Sequence, residues 1–503
     1  MAPPTSTRPT HLDVLIVGAG LSGIGAGHYL QTECPWASYA IFEARDSIGG
    51  TWDLFRYPGI RSDSDMYTLG YSFRPWDGEK AIVDGDSILQ YIKETAAESR
   101  IDAHIHFNLR ITAADWLTRD SLWHITAERT DTDETVHLTA GFLFSCSGYY
   151  RYDHGYLPDF TGMADFAGTI VHPQAWPEDL DVAGKRIVVI GSGATAVTLI
   201  PALARSAEHV TMLQRSPTYV ASLPEKSPVA ALLRKVLPPT QAGTATKWFH
   251  AITTQVFYQV SRRYPRLVRR MLLKGLERQL PAGYDIATHF TPQYNPWDQR
   301  FCAVPNGDLF KSIGDGTSSI VTDHIERFTE KGVLLTSGDE LEADMIVTAT
   351  GLQLLFLGGI SLSVDGEAVD PATRLTYKGM MLEGVPNMAI AIGYTNASWT
   401  LKCDLTCDYV CRLLNHMHEH GLTRCVPRNH DGSVGSGPIL GLTSGYIQRS
   451  AHLLPKQGSV YPWKVHQSYL RDYRALKMSD IDDSIMEFSG PGVPAVAAVS
   501  LAS

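Results

Sequence analysis

The stretch "LDVLIVGAGLSGIGAGHYL" carries a continuous apolar run, Val14 to Val17, meets glycines at Gly18, Gly20 and Gly23, and then takes a helical pattern. That order predicts strand, tight turn and helix. "SYAIFEAR" reads as the next strand, and the two strands close a βαβ unit, which requires parallel pairing. From about residue 101 to 139 the pattern shortens into alternating stretches such as "SLWHITAERT" and "ETVHLTA". These predict an antiparallel meander covering one face of the parallel sheet, ahead of an apolar strand "GFLFSCSGYY". A second βαβ unit opens at "KRIVVIGSGATAVTLIPALA" and closes at "HVTMLQRS", so the fold is repeated.

Between about 227 and 280 the chain turns helical and cationic, as in "VSRRYPRLVRRMLLKGLERQL". This reads as an amphipathic helix with a solvated basic face, a membrane-surface or partner site being the alternative. "GVLLTSGDELEADMIVTATGL" predicts a hairpin and a further buried strand, and the Pro/Gly-punctuated tail "SGPGVPAVAAVSLAS" a flexible end. The expected fold is α/β, with two Rossmann-like dinucleotide-binding domains. Residues 1–150 and 333–503 build the first, and residues 151–332 the second, with a helical insertion at about 225–290.

Composition narrows the function. At 503 residues and 44% hydrophobic content the chain has room for two or three cores. A formal charge of −10 gives no global attraction for nucleic acid. No apolar run reaches the roughly 18 residues of a membrane span, and "MAPPTSTRPTHLD" lacks the apolar core of a signal peptide. Seven cysteines without a C-x-x-C pair read as reduced thiols, so a cytoplasmic location is expected.

The two glycine loops differ in charge. In the first, the glycines permit a tight turn, close approach of backbone to a pyrophosphate, and packing of helix on strand. Glu43, some twenty residues beyond and at the end of the next strand, can accept hydrogen bonds from a ribose 2′-hydroxyl. The second loop carries Gly191, Ser192, Gly193, Ala194, Thr195 and Ala196, and Arg215 followed by Ser216 stands where Glu43 stood. A guanidinium and a hydroxyl bind a 2′-phosphate that a carboxylate would repel. This charge swap predicts FAD at the first loop and NADPH at the second, hence a flavoprotein oxidoreductase. Where dithiol flavin reductases carry two cysteines, this chain has "GGTWDLFRYPGIRSDSD". Disulfide exchange is therefore excluded, and oxygen becomes the candidate acceptor.

"GGTWDLFRYPGIRSD" fits [AG]-G-x-W-x4-[FY]-P-[GM]-x3-D, through Gly49, Gly50, Trp52, Tyr57, Pro58, Gly59 and Asp63. "FAGTIVHPQAWP" fits F-x-G-x3-H-x3-W-[PD], through Phe166, Gly168, His172, Trp176 and Pro177. With both loops, these motifs resemble type I Baeyer–Villiger monooxygenases. Nearly the whole chain is similar to the ethionamide-activating subgroup, including "YNPWDQR" and "GYTNASWTLK". The resemblance implies NADPH- and O2-dependent insertion of oxygen beside a ketone carbonyl through a C4a-peroxyflavin, giving an ester or lactone. Oxygenation of sulfides or thioamides by the same flavin is the alternative.

It also implies site roles. Arg300, ending "YNPWDQR", matches the catalytic arginine, with Asp63 as its carboxylate partner and Asp65 a competing choice. Gln299 replaces a lysine common in relatives, so more of the NADPH contact falls to Arg215. Arg61 and Ser62 stand near the nicotinamide nucleotide. Gly50, Thr51, Trp52 and Asp53 line the flavin, Ser22 lies by the pyrophosphate, and the Ile111 backbone lies by the adenine. His172 is expected to set the pose of an interdomain linker rather than act as a base. Cys403, Cys407 and Cys411 share a helix face but cannot wrap an ion at about 2.3 Å from one helix, so no metal is expected.

Overall fold

The computed structural model describes residues 10–491, so the expected flexible tail lies, from residue 492 onward, outside the described residues. Strands His11–Val17 and Tyr39–Phe42 pair in parallel, joined by the helix Leu21–Glu33. Each is buried along almost its whole length, as strands covered on both faces must be.

The meander differs from its expected form. "ETVHLTA" and "GFLFSCSGYY" do not make separate strands, because Thr135–Ser145 is one strand of 11 residues. Its first half pairs antiparallel with Leu122–Arg129 and its second half parallel with His11–Val17. Gly141 sits in the parallel half, where a Cβ would come within 3.0 Å of the Asp13 carbonyl oxygen. The meander is thereby hydrogen-bonded into a nine-stranded sheet rather than laid over its face. Trp116 and Trp123, paired across neighbouring strands and fully buried, supply much of the apolar area that holds it there. The chain returns late to this sheet. Ser361–Val364 pairs with Ala113–Trp116, and Met388–Ile390 with Leu143–Ser145.

A second sheet is wholly parallel, in the order Ser318–Thr322, His209–Gln214, Arg186–Ile190, Met345–Thr348, Thr169–Val171. All four residues of Met345–Thr348 are buried, and the strand finds partners on both sides only here. This sheet therefore takes chain from beyond the boundary near 332 that the sequence pattern suggests. The molecule is α/β, built on one mixed and one parallel sheet, each with a glycine loop after the opening strand of its βαβ unit.

The basic insertion also departs from a single amphipathic helix. It folds as Pro228–Val236, Pro239–Arg263 and Pro265–Glu277. Pro265 lacks an N–H and forces a break at Tyr264, but suits the first turn of the helix that follows. The insertion is locked to the first body by Lys247. Its ammonium lies 3.1 Å from Asp404 Oδ2 and also donates to Gly70 O and Ser72 Oγ. Asp404 belongs to the helix Trp399–Glu419, whose Cys403, Cys407 and Cys411 are buried free thiols. That helix packs on Leu21–Glu33, with Cys403 Sγ 3.3 Å from Ser22 Oγ and Cys34 Sγ donating to Cys411 O.

Candidate active site

Both glycine loops open into one cleft of about 1510 Å³. Gly18 has φ +96°, and a Cβ there would meet the Cys146 carbonyl oxygen at 2.9 Å. A Cβ on Gly23 would fall 1.8 Å from Gly18 O, so helix and turn close only around glycine. Gly20 caps the helix without a side-chain hydrogen bond, which leaves the first-turn N–H groups facing the cleft. The second loop repeats this: Gly191 has φ +137° with Ala349 O in the way of any Cβ, and Gly193 is an open cap on Ala194–Leu203. Each loop is a concave backbone surface, at a helix N-terminus, that a Cβ would fill or distort. That shape fits a dinucleotide pyrophosphate.

The groups expected to read each ribose flank these loops. Glu43 lines the cleft, and its two oxygens accept the Ala19 N–H at 2.8 Å and the Arg45 N–H at 2.9 Å. Burial pushes its carboxyl up despite these bonds, and each oxygen keeps a lone pair for a hydroxyl. Arg215 and Ser216 are exposed on the cleft wall, and Arg215 makes no ion pair among the described residues. Ser192 Oγ donates to Ser216 O, tying the loop to the strand end that carries the cation.

Of the other expected residues, Ser22, Gly50, Thr51, Trp52, Arg61, Ser62, Asp63, Ile111, Ala194, Thr195 and Arg300 line the same cleft, while Gly23, Asp53 and Ala196 do not. Asp53 is buried, with its carboxylate taken by Arg45, Arg56 and Ser47, so it braces the Gly50 turn from behind. The Ser22 hydroxyl accepts from Trp399 Nε1 at 2.8 Å, which directs it toward the late helix. Asp65 caps the short helix Met66–Leu69 and is absent from the cleft lining, whereas Asp63 faces the cleft.

Arg300 lines the cleft together with residues of both glycine loops. Burial acts to lower its pKa, but Tyr150, Tyr446, Asp63 and Tyr149 around it more than offset this and hold the guanidinium above its ordinary value. It is a fixed cation. Burial likewise pushes the Asp63 carboxyl up, against the pull of Arg300, then Arg61, and a hydrogen bond from the Ala303 N–H. Asp63 and Arg300 therefore interact through space, and no ion pair among the described residues joins them. Arg61 is instead held by Asp308, 2.5 Å away on the second body, while its buried Nε has no partner. Gly59 brings this loop against the second body, where a Cβ would meet Ala202 Cβ at 2.7 Å.

Several residues of the site carry no sequence signal. Tyr149, Tyr150 and Tyr446 surround Arg300 but stand in no motif. Asp298 is two residues before Arg300, within the motif but unmarked as a node. It accepts from Arg262 of the insertion at 2.5 Å and from the Asn295 N–H, while its carbonyl takes Thr443 N–H and Oγ1. It is a positioning residue for the Arg300 loop. Asp298→Asn keeps its size but weakens the charged bond, and is expected to lower product per NADPH consumed about tenfold, with little change in flavin content. Unaltered coupling in a stoichiometric NADPH and product assay would leave Asp298 a surface contact.

The second fingerprint lies outside the cleft wall. His172 Nδ1 accepts the Gln174 N–H, Gln174 Nε2 donates to the carbonyls of Arg151 and Tyr152, and a Cβ on Gly155 would run into the His172 ring at 1.9 Å. Burial holds His172 below the ordinary histidine range, against contacts with Gly351 and Tyr156, so it is neutral at pH 7. It fixes the 151–156 linker beside the cleft. His172→Ala is expected to change coupling of NADPH use to product more than flavin content. Equal coupling and NADPH KM in the variant would reduce His172 to packing.

Comparisons with known proteins agree with this architecture. Residues 12–358 match the FMO-like family, described as flavin-binding monooxygenase-like. The chain is 55% identical over 485 residues to the FAD-containing monooxygenase EthA of Mycobacterium tuberculosis (strain ATCC 25618 / H37Rv), covering 96% of this chain and 99% of that one. It is 48% identical over 480 residues to a probable FAD-binding monooxygenase, AlmA, of Acinetobacter baylyi, covering 95% and 96%. Its fold resembles oxidized steroid monooxygenase bound to NADP, with a TM-score of 0.70, 23% identity and coverage of 83% and 88%. It likewise resembles cyclohexanone monooxygenase in its open form, with a TM-score of 0.70, 20% identity and coverage of 83% and 90%. With two glycine-loop sheets opening on one cleft and a match over most of its length, the chain belongs to the flavin-binding monooxygenase-like family.

Proposed function

We propose that the protein is an NADPH- and O2-dependent Baeyer–Villiger monooxygenase holding FAD at the Gly18–Gly23 loop and NADPH at the Gly191–Ala196 loop. The overall reaction consumes a ketone, O2, NADPH and a proton, and yields an ester or lactone, NADP+ and water. The observation that carries this reading is Arg300, a fixed cation in the cleft that both loops line, ringed by Tyr149, Tyr150 and Tyr446 and coupled to Asp63. Bound FAD would accept hydride from NADPH and activate oxygen.

The chain's own residues do the rest. Glu43 accepts a ribose hydroxyl, and the open N-terminus at Gly20 takes the pyrophosphate. Arg300 stabilises negative charge developing on the substrate oxygen, without a proton to lose at neutral pH. Tyrosine rings crowd water away from it. Seven buried, free cysteines accord with a cytoplasmic setting.

The test is mass analysis of products from linear ketones, cyclic ketones and aryl sulfides with NADPH under air. Esters or lactones are expected; sulfoxides with no ester from any ketone would replace ketone by sulfur oxygenation. Arg215→Ala is expected to raise KM for NADPH about 10- to 150-fold, from loss of a charged hydrogen bond of about 1.5–3 kcal/mol. KM for NADH should barely move, and equal losses for the two nucleotides would overturn the assignment of Arg215 to the 2′-phosphate.

A further inference from the structure

Exposed apolar side chains concentrate on the helical insertion. On Pro239–Arg263, Phe249, Ile252, Val256 and Val260 are all exposed at spacings of three and four residues, which places them on one helix face. Tyr264 continues the run at the break, and Leu267 and Met271, 60% and 56% exposed, extend it on Pro265–Glu277 at a spacing of four. Such a stripe costs free energy in water unless something covers it.

Charge selects what covers it. Residues 228–277 hold nine Lys and Arg and a single acid, Glu277, in a chain of formal charge −10. Some of these cations are committed internally: Lys247 to Asp404, Arg262 to Asp298, and Arg234 to the Gly78 carbonyl. Arg263, Arg266, Arg270 and Lys274 are exposed and form no ion pair among the described residues. A second copy seated on the same face by two-fold symmetry would set these cations against their own equivalents. An anionic lipid surface instead offers acyl chains to the stripe and phosphates to the cations that flank it.

We propose that the insertion docks the protein on an anionic bilayer surface, the face from Phe249 to Met271 entering the headgroup boundary and Arg263, Arg266, Arg270 and Lys274 meeting lipid phosphates. No helix among the described residues is long and apolar enough to cross a membrane, so the helices lie in the plane of the surface. The Arg262–Asp298 pair joins the docked helix to the loop that carries Arg300.

The test is sedimentation of the full-length holoenzyme with vesicles of phosphatidylglycerol and phosphatidylcholine, or of phosphatidylcholine alone. Binding is expected with the anionic vesicles only. The triple variant Arg266→Glu, Arg270→Glu, Lys274→Glu is expected to lose about a hundred-fold in affinity or more. The double variant Val256→Asp, Met271→Asp is expected to lose binding while keeping every cation, and both should oxidise NADPH like the native protein when no vesicles are present. Failure of the native protein to bind anionic vesicles overturns the proposal. So does binding that survives Val256→Asp, Met271→Asp, or a native dimer in sedimentation velocity that the same substitutions dissolve without any vesicle binding.

Discussion

Arg300→Ala is expected to retain flavin and NADPH-dependent flavin reduction close to native while ester formation falls to about a thousandth or less, with NADPH use ending in hydrogen peroxide. Flavin retention follows from position. Among the described residues no hydrogen bond links Arg300 to Gly18, Gly20 or Glu43, whose carboxylate bonds run to Ala19 and Arg45. Loss of product follows from charge. Inside a tyrosine-lined cleft, charge on a reacting oxygen is stabilised by a guanidinium far more than it would be in water, and alanine offers nothing in its place. Arg300→Lys separates charge from shape. Lysine keeps a cation but not the planar fork that meets Tyr446, so an intermediate rate is expected. Product quantified beside NADPH and peroxide decides the matter, and ester formation by Arg300→Ala within tenfold of native would sink the assignment.

Lys247→Met is expected to destabilise the fold by about 3–5 kcal/mol, because it strands the Asp404 carboxylate in the interior. Both side chains are at most a tenth exposed. Asp404 would keep the Ser72 N–H and hydroxyl as donors but lose its only ion-pair cation among the described residues, and Gly70 O would lose its ammonium. The double variant Lys247→Met, Asp404→Leu removes both charges together and is expected to recover most of the loss, as buried pairs replaced by apolar side chains do. Thermal unfolding of the three proteins, with flavin release as a second readout, distinguishes these outcomes. A single variant as stable as native would show that this pair does not hold the insertion on the helix Trp399–Glu419.

Glycine positions were legible because backbone geometry leaves no alternative. Gly18 and Gly191 need positive φ beside a carbonyl oxygen, and Gly23 has Gly18 O where a Cβ would be. Glu43 and Arg215 were legible because a βαβ unit puts the end of its second strand at the lip of the loop, so spacing along the chain becomes position in space. Arg300 was legible only through the resemblance carried by "YNPWDQR", since nothing in its own surroundings along the chain marks it.

Sequence by itself determined the two dinucleotide units, the charge difference between their loops and the family, because these depend on local conformation and on residues tens of positions apart. Tertiary structure alone decided what surrounds the reacting charge and how the bodies are joined. Arg61 finds Asp308 across 247 residues, Asp298 meets Thr443 across 145, and Lys247 meets Asp404 across 157. The strand Met345–Thr348 belongs to the second sheet for the same kind of reason: its neighbours, Thr169–Val171 and Arg186–Ile190, lie far back in the chain. Periodicity reports which face of an element is buried, whereas the partner on that face is chosen by shape, charge and desolvation once the elements have packed.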